Sequence, residues 1–458
     1  MSPVDRSRLP DCGPEPAFAF PIADKRQLDN GLRFWTVQRD QLPLISVVLM
    51  LPAGAARDPV LMPGLAAITA DMLDEGSGDA SAIEMQEELA RLGTDLDTET
   101  GPDAVVLSMT MLDRFLPDAL RLLADIVCRP RLGDADVARV RELRLNRLRQ
   151  IKDAPGANAE AVFTRAVFGA HAYGHLPIGT SASLERIGTG DVRGFHASAY
   201  QPGHAVMILV GAADPDRSTR AVCDAFGSWQ PIASAAPDAP GASVAPPGTP
   251  SPRLLLVDRP GAAQTELRIG HVGVPRRTPD FHALVLLNAV LGGHFMSRIN
   301  LNLREHRGFT YGARSAFDFR RQAGPFSVQT SVQTGATGEA IREVLAELHA
   351  IRHERPATDE ELSLSKATLT KGYPRNFETT DQVARGLAQL SLYELPDDTF
   401  ASFSPRLRAL DREAVTDVAV RLLDPDRSVV VAVGDRARIE DDLRRLGLGE
   451  PTLTTADL

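Results

Sequence analysis

No histidine precedes His171 in this 458-residue chain. More than the first third of the protein therefore lacks the commonest ligand of catalytic metal sites. Cysteine is almost as scarce. Cys12, Cys128 and Cys223 are odd in number and far apart, and no C-x-x-C pair exists. A disulfide framework and a cysteine-based zinc site are both excluded on that pattern. The net charge of −10 argues against nucleic acid and against an anionic membrane surface as partners. No run approaches the roughly 20 apolar residues that a membrane helix needs. The longest apolar runs, 44–56 and 205–213, suit buried strands. The polar, proline-rich N-terminus has no basic-then-apolar signal pattern, so the chain reads as cytoplasmic. Phosphate loops, serine nucleophile elbows and G-x-G-x-x-G fingerprints are also missing.

What is present is a soluble globular composition, 43% apolar and 24% charged, in a chain long enough for several domains. Residues 230–252 hold seven prolines among alanine, serine and glycine, which reads as a linker. The pattern predicts an irregular tail over 1–24, one domain over 25–229, the linker, a second domain over 253–446 and a tail over 447–458. The two halves follow a similar plan. Strand-like runs flank the hairpin signal Asn30-Gly31, and the apolar run 44–51 precedes a helix over 62–75. In the second half, strands over 253–258 and 266–272 precede a helix over 280–291. Each half closes on an apolar strand ending in glycine, at 205–211 and 428–434, after nearly equal intervals. Further strands are expected at 104–111 and 326–332, and amphipathic helices at 82–92, 134–152 and 339–353. The expected fold is α+β: two homologous domains, each a mixed, largely antiparallel sheet with helices on one face, a duplicated clamshell half.

The most specific segment is Leu303-Arg304-Glu305-His306-Arg307-Gly308-Phe309-Thr310-Tyr311-Gly312, preceded by Leu291-Gly292-Gly293 and Ser297-Arg298. It resembles the second-domain signature of the pitrilysin/insulinase family of zinc peptidases. In that family the run places an arginine and a tyrosine seven positions apart, as Arg304 and Tyr311 are here. A guanidinium and a phenol offer rigid donors for a peptide carbonyl. A surface arginine beside a tyrosine packed on a strand start is the bland reading of the same pair.

The resemblance also exposes a loss. The family's first domain carries H-x-x-E-H on a helix, with two zinc-ligating histidines and a glutamate base. The matching segment here, 64–76, has Ala67 at the first histidine position, Ala70 at the glutamate and Asp71 at the second histidine. The third ligand, a glutamate in the family, falls near Arg147, with Glu142 the nearest helical acid. Asp71, Asp74 and Glu75 read as a solvated helix end rather than a residual cation site. His349 and His353 share a helix face but lack a third ligand, and His171 and His175 read as structural members of a loop.

The resemblance therefore implies a zinc-less subunit of a heteromeric peptidase. Arg304 and Tyr311 would bind and polarise a peptide held against a homologous zinc-bearing partner. No cofactor is expected in this chain itself, and a homodimer is the other assembly to consider. An inert structural or peptide-binding paralogue of the same fold, like the core subunits of respiratory complexes, is the alternative.

Overall fold

The computed structural model describes residues 18–231 and 252–456. Most of the expected linker and the first 17 residues of the expected tail lie outside them.

The first sheet contains β1 (Asp24–Gln27), β2 (Arg33–Gln38) and β3 (Leu44–Leu51). A separate short pair, β4 (Gly76–Ser77) and β5 (Ala80–Ser81), follows. The sheet is completed by β6 (Asp97–Thr100), β7 (Val105–Leu112) and β8 (Val206–Gly211), in the order β1-β2-β8-β3-β7-β6. The second sheet contains β9 (Leu254–Asp258), β10 (Gln264–Val272), β11 (Ala313–Phe317), β12 (Pro325–Gln333), β13 (Val429–Gly434) and β14 (Thr452–Thr454). Its order is β11-β12-β10-β13-β9-β14.

Read from opposite ends, the two orders coincide strand for strand. The parallel pair β2–β8 answers β9–β13, and every other pairing within the shared five strands is antiparallel in both sheets. The duplicated, mixed and largely antiparallel α+β plan is therefore present. Only the outermost strands differ. β1 is added by a hairpin, and β14 is added in parallel by the C-terminal stretch expected to be a tail. Residues 18–23 carry no regular element, as expected of the tail, but they are packed. Phe18 and Phe20 stack on aromatic rings of the second half, with Phe20 4.8 Å from Phe400.

The sheets are covered on both faces, and the second cover comes from the other half. Helix Pro155–Phe168, from the first half, lies on the second sheet with Ala159, Val162 and Phe163 against Val429, Val431 and Val433. Helix Thr380–Leu392, from the second half, lies on the first sheet with Ala384, Leu387 and Ala388 in one core with Val48, Met50, Ile208 and Val210. This reciprocal cover is why β3, β8 and β13 read as continuous apolar runs instead of alternating ones. Each fully buried Leu or Phe in these layers contributes about 1.5–3 kcal/mol. Ion pairs pin both helices. Arg385 reaches Asp97 at 2.9 Å and Glu99 at 3.0 Å, and Arg268 reaches Glu160 at 3.1 Å.

One helical stretch, Phe281–His306, is long and apolar enough by composition to cross a membrane, with a mean hydropathy of 1.2 in its best window. The sequence pattern did not single it out. Leu284, Leu286, Leu287, Leu291 and Leu303 are buried in the second domain's core, so its apolarity belongs to packing. Local hydrogen bonding explains the helix boundaries elsewhere. The expected helix at 62–75 begins only at Leu65, because the Asp58 carboxylate accepts from the backbone N–H groups of Gly64 and Ala66 at 2.7 Å.

Candidate functional site

The helix Leu65–Asp71 carries the three positions where the signature would place zinc chemistry. Ala67 and Ala70 are buried and offer no donor atom. Asp71 sits on the helix's last turn, and its Oδ2 accepts from Arg144 Nε at 2.6 Å. Arg144 projects from helix Asp134–Lys152, one turn before Arg147, where the third ligand was expected. A guanidinium thus meets the carboxylate from the direction in which the family's third ligand would come. Arg139 of the same helix pairs with Glu75. Zinc needs three protein ligands even in an open catalytic site, and one carboxylate already neutralised by arginine does not supply them. The residues do not fit a metal. Among the described residues no group of three or more His, Cys, Asp or Glu side chains could hold one.

Asp74 lies behind this ion pair. Burial, then the charges of Asp71, Glu75 and Asp97, push its carboxyl up to about 6, and its Oδ1 has no hydrogen-bond partner. The Tyr200 hydroxyl is also buried without a partner, and burial with the nearby Asp71 raises it above the ordinary phenol range. Sequence reasoning placed Asp74 on a solvated helix end. Asp74 is instead half-buried.

The signature of the second half is fully ordered. Gly292 sits in the helix Ala289–Gly293, against β11. A Cβ there would stand 2.5 Å from Ser315 Oγ and 2.6 Å from Ser315 N, so no larger residue fits. Arg298 is nearly buried. It grips Glu361 through two bonds of 2.6 and 2.7 Å and also donates to the Pro356 carbonyl at 2.9 Å. Its place in the signature is therefore architectural. Asn300, which the sequence did not flag, ties the site together. Its Nδ2 donates to Phe295 O at 2.6 Å and its Oδ1 accepts from Ala313 N at 3.0 Å.

Arg304 lies on the last helical turn, Leu301–His306, and Tyr311 lies two residues before β11. The chain reverses between them at Gly308, whose φ of +65° favours glycine. Backbone bonds from Gly308 N to Arg304 O (3.2 Å) and Phe309 N to Leu303 O (2.9 Å) close the turn. The Thr330 hydroxyl holds its far end by donating to Gly312 O at 3.0 Å. Tyr311 projects into solvent, 91% exposed, at the lip of a groove of about 490 Å³. Gly293, His294, Phe295 and the strand residues Arg314, Gln329 and Ser331 form its walls. The Arg304 guanidinium stacks on Phe295, 3.9 Å from the ring centroid. Its Nη1 is buried without a hydrogen bond, and the Glu305 carboxylate stands 3.5 Å away. Among the described residues no hydrogen bond joins Arg304 to Tyr311. Tyr311 lines the groove, and Arg304 adjoins it only through Phe295, with the side chains of Phe295 and Met296 exposed beside them.

The remaining histidines of the sequence reading have structural surroundings. His171 Nε2 contacts Gln322 of the second half at 3.0 Å, and its Nδ1 accepts from Tyr173 N at 3.0 Å. His175 Nε2 lies 3.1 Å from both Asp58 and the Ala55 carbonyl. His349 is half-exposed, 3.7 Å from Asp426, and His353 is exposed.

Comparison with known proteins follows this layout. Residues 35–179 match the family model for insulinase (peptidase family M16), and residues 186–369 match the model for the peptidase M16 inactive domain. An uncharacterized zinc protease of Mycobacterium bovis is 27% identical over 88% of this chain and 90% of its own length. The beta subunit of the mouse mitochondrial-processing peptidase is 25% identical over 45% of this chain and 42% of its own. The solved peptidase M16 inactive domain from Pseudomonas fluorescens superposes with a TM-score of 0.82 at 25% identity, covering 91% of this chain and 98% of that one. A protease from Helicobacter pylori, at 18% identity, shares the fold with a TM-score of 0.83 over 90% of this chain and 99% of that one.

Proposed function

The chain belongs to the insulinase family, peptidase M16, and we propose that it serves as a zinc-less subunit whose Arg304 and Tyr311 act on a peptide held against a homologous zinc-bearing partner. The observation that carries this reading is the solvent-facing Tyr311 at a groove whose wall residue Phe295 is stacked on the Arg304 guanidinium. Arg304 would bind a substrate carbonyl through its fixed fork, and Tyr311 would add a donor where negative charge grows as that carbonyl becomes tetrahedral. Ala67 and Ala70 supply neither ligand nor base, so water activation falls to the partner. The similarity to one subunit of the mitochondrial-processing peptidase supports a heteromeric setting.

A scaffold role is the second reading, favoured by the stacking of Arg304 on Phe295, which a purely structural arginine would also adopt. Co-expression with a family member from the same organism that carries H-x-x-E-H separates the two. The expected result is a stable heteromer that hydrolyses peptides faster than the zinc-bearing chain alone. A heteromer with no gain in turnover would leave the scaffold reading standing.

A further inference from the structure

A second groove, of about 450 Å³, shares no lining residue with the one at Tyr311. Its walls are aromatic: Phe281, Tyr373, Phe377, Phe400 and Phe403. The rings brace one another, with Tyr373 stacked 4.3 Å from Phe403 and Phe377 5.0 Å from Phe400. Arg276 completes the lining, its guanidinium lying flat on Phe281 at 3.5 Å from the ring centroid.

Arg276 contrasts with Arg144, Arg268, Arg298 and Arg385, four other part-buried arginines that each hold a carboxylate. The neighbouring Arg277 pairs with Glu394. Among the described residues the Arg276 side chain has no ion pair and no hydrogen bond. The ionisable groups it feels are the Tyr393 and Tyr373 phenols, and burial pushes it down to about 10. Arg385, at another part of the wall, is fully engaged by Asp97, Glu99 and Asp381. Among the described residues the Asn376 and Gln389 amides that also line the groove have no side-chain hydrogen bond.

We propose that this groove binds a small monocarboxylate with an aromatic or aliphatic body, its carboxylate on the edge of the Arg276 guanidinium and its body against the phenylalanine rings. Stacking on Phe281 occupies the face of the guanidinium and leaves its in-plane N–H edge for a bidentate partner, the geometry a carboxylate matches. One free cation answers one negative charge, which favours a monocarboxylate over a phosphate ester. The volume lies within the range of small-molecule sites. A free aromatic acid and the C-terminus of a peptide ending in an aromatic residue share this chemistry.

The test is calorimetric titration of the full chain with N-acetyl-phenylalanine and with its amide, which lacks the charge. The acid should bind in the millimolar range or tighter, and the amide at least about tenfold more weakly. Arg276→Gln should weaken the acid by a similar factor and leave the amide unchanged. Arg276→Lys, which keeps the charge and loses the fork, should fall between. Melting curves should show both variants folded, with Arg276→Gln matching the parent or rising because it removes an unpaired cation. Hexapeptides ending in phenylalanine that bind more tightly than the single residue would assign the peptide source, and weaker binding would assign the free acid. Equal binding of acid and amide, or no heat from the acid up to about 10 mM, overturns the proposal.

Discussion

Asp71 and Arg144 meet at 2.6 Å at the point where the family signature would place a metal ligand. The bond joins the end of one helix to the middle of another, and it gives Asp71 a partner that competes with any cation. The purified chain is expected to hold far less than one zinc per molecule, as metal analysis after dialysis will determine. A double-mutant cycle of Asp71→Ala and Arg144→Ala should return a coupling of about 1 kcal/mol, since Asp71 is nearly half exposed. Stoichiometric zinc surviving dialysis, or zero coupling, would contradict this account of the site.

Asp74 supplies a pH signature. Its folded-state carboxyl is raised to about 6, above the ordinary aspartate range, with burial the leading cause. A raised acid favours folding while it is protonated, below its unfolded value, and that contribution is lost as pH rises through about 6. Asp74→Asn removes the charge and keeps the shape. It should therefore stabilise the protein more at pH 8 than at pH 5, by about 1–2 kcal/mol after allowance for solvent screening. Denaturant titrations at the two pH values decide it. An equal effect at both would show that Asp74 does not titrate in this window.

Arg298 separates architecture from chemistry within the signature. It is almost buried and forks onto Glu361, whose carboxyl is held below its usual range despite burial, through hydrogen bonds from Arg298 and from the Thr358 backbone. Arg298→Ala would strand that carboxylate and should cost about 2 kcal/mol. Arg298→Lys should recover only part, because the planar fork is lost. Thermal melts should rank parent, lysine and alanine in that order.

Tyr311 and Arg304 should behave in the opposite way. Tyr311→Phe removes one exposed hydroxyl, so stability should stay within about 0.5 kcal/mol. In a heteromer with a zinc-bearing partner, turnover should fall on the order of 100-fold. Arg304→Lys should also impair turnover without unfolding the chain. Near-full activity in both variants would remove the pair from catalysis and leave the scaffold reading.

Much of the fold was legible because strands and helix faces are short-range patterns. The runs at 44–51 and 134–152 match the observed β3 and its later helix residue for residue. The helix expected at 82–92 is observed over Ala82–Arg91, capped by Ser81 together with Glu84. The C-terminal strand β14 escaped notice because Thr452–Thr454 is a three-residue edge strand with little apolar content. The architectural grip of Arg298 escaped for a different reason: its partner Glu361 lies far away in sequence.

The loss of the metal site was determined by the sequence alone. Alanine carries no donor atom in any fold, so Ala67 and Ala70 settle the chemistry before any coordinate is known. The glycine turn at 308 was likewise legible in the sequence, and its φ of +65° fits that residue. Tertiary structure alone decided which charges have partners. Arg144 finds Asp71, Arg385 finds Asp97 and Glu99, and among the described residues Arg276 finds no carboxylate. It also decided that each half's sheet is roofed by a helix from the other half. Those outcomes depend on which distant surfaces pack together. Packing is a property of the whole apolar core, and the local residue patterns that form the strands do not carry it.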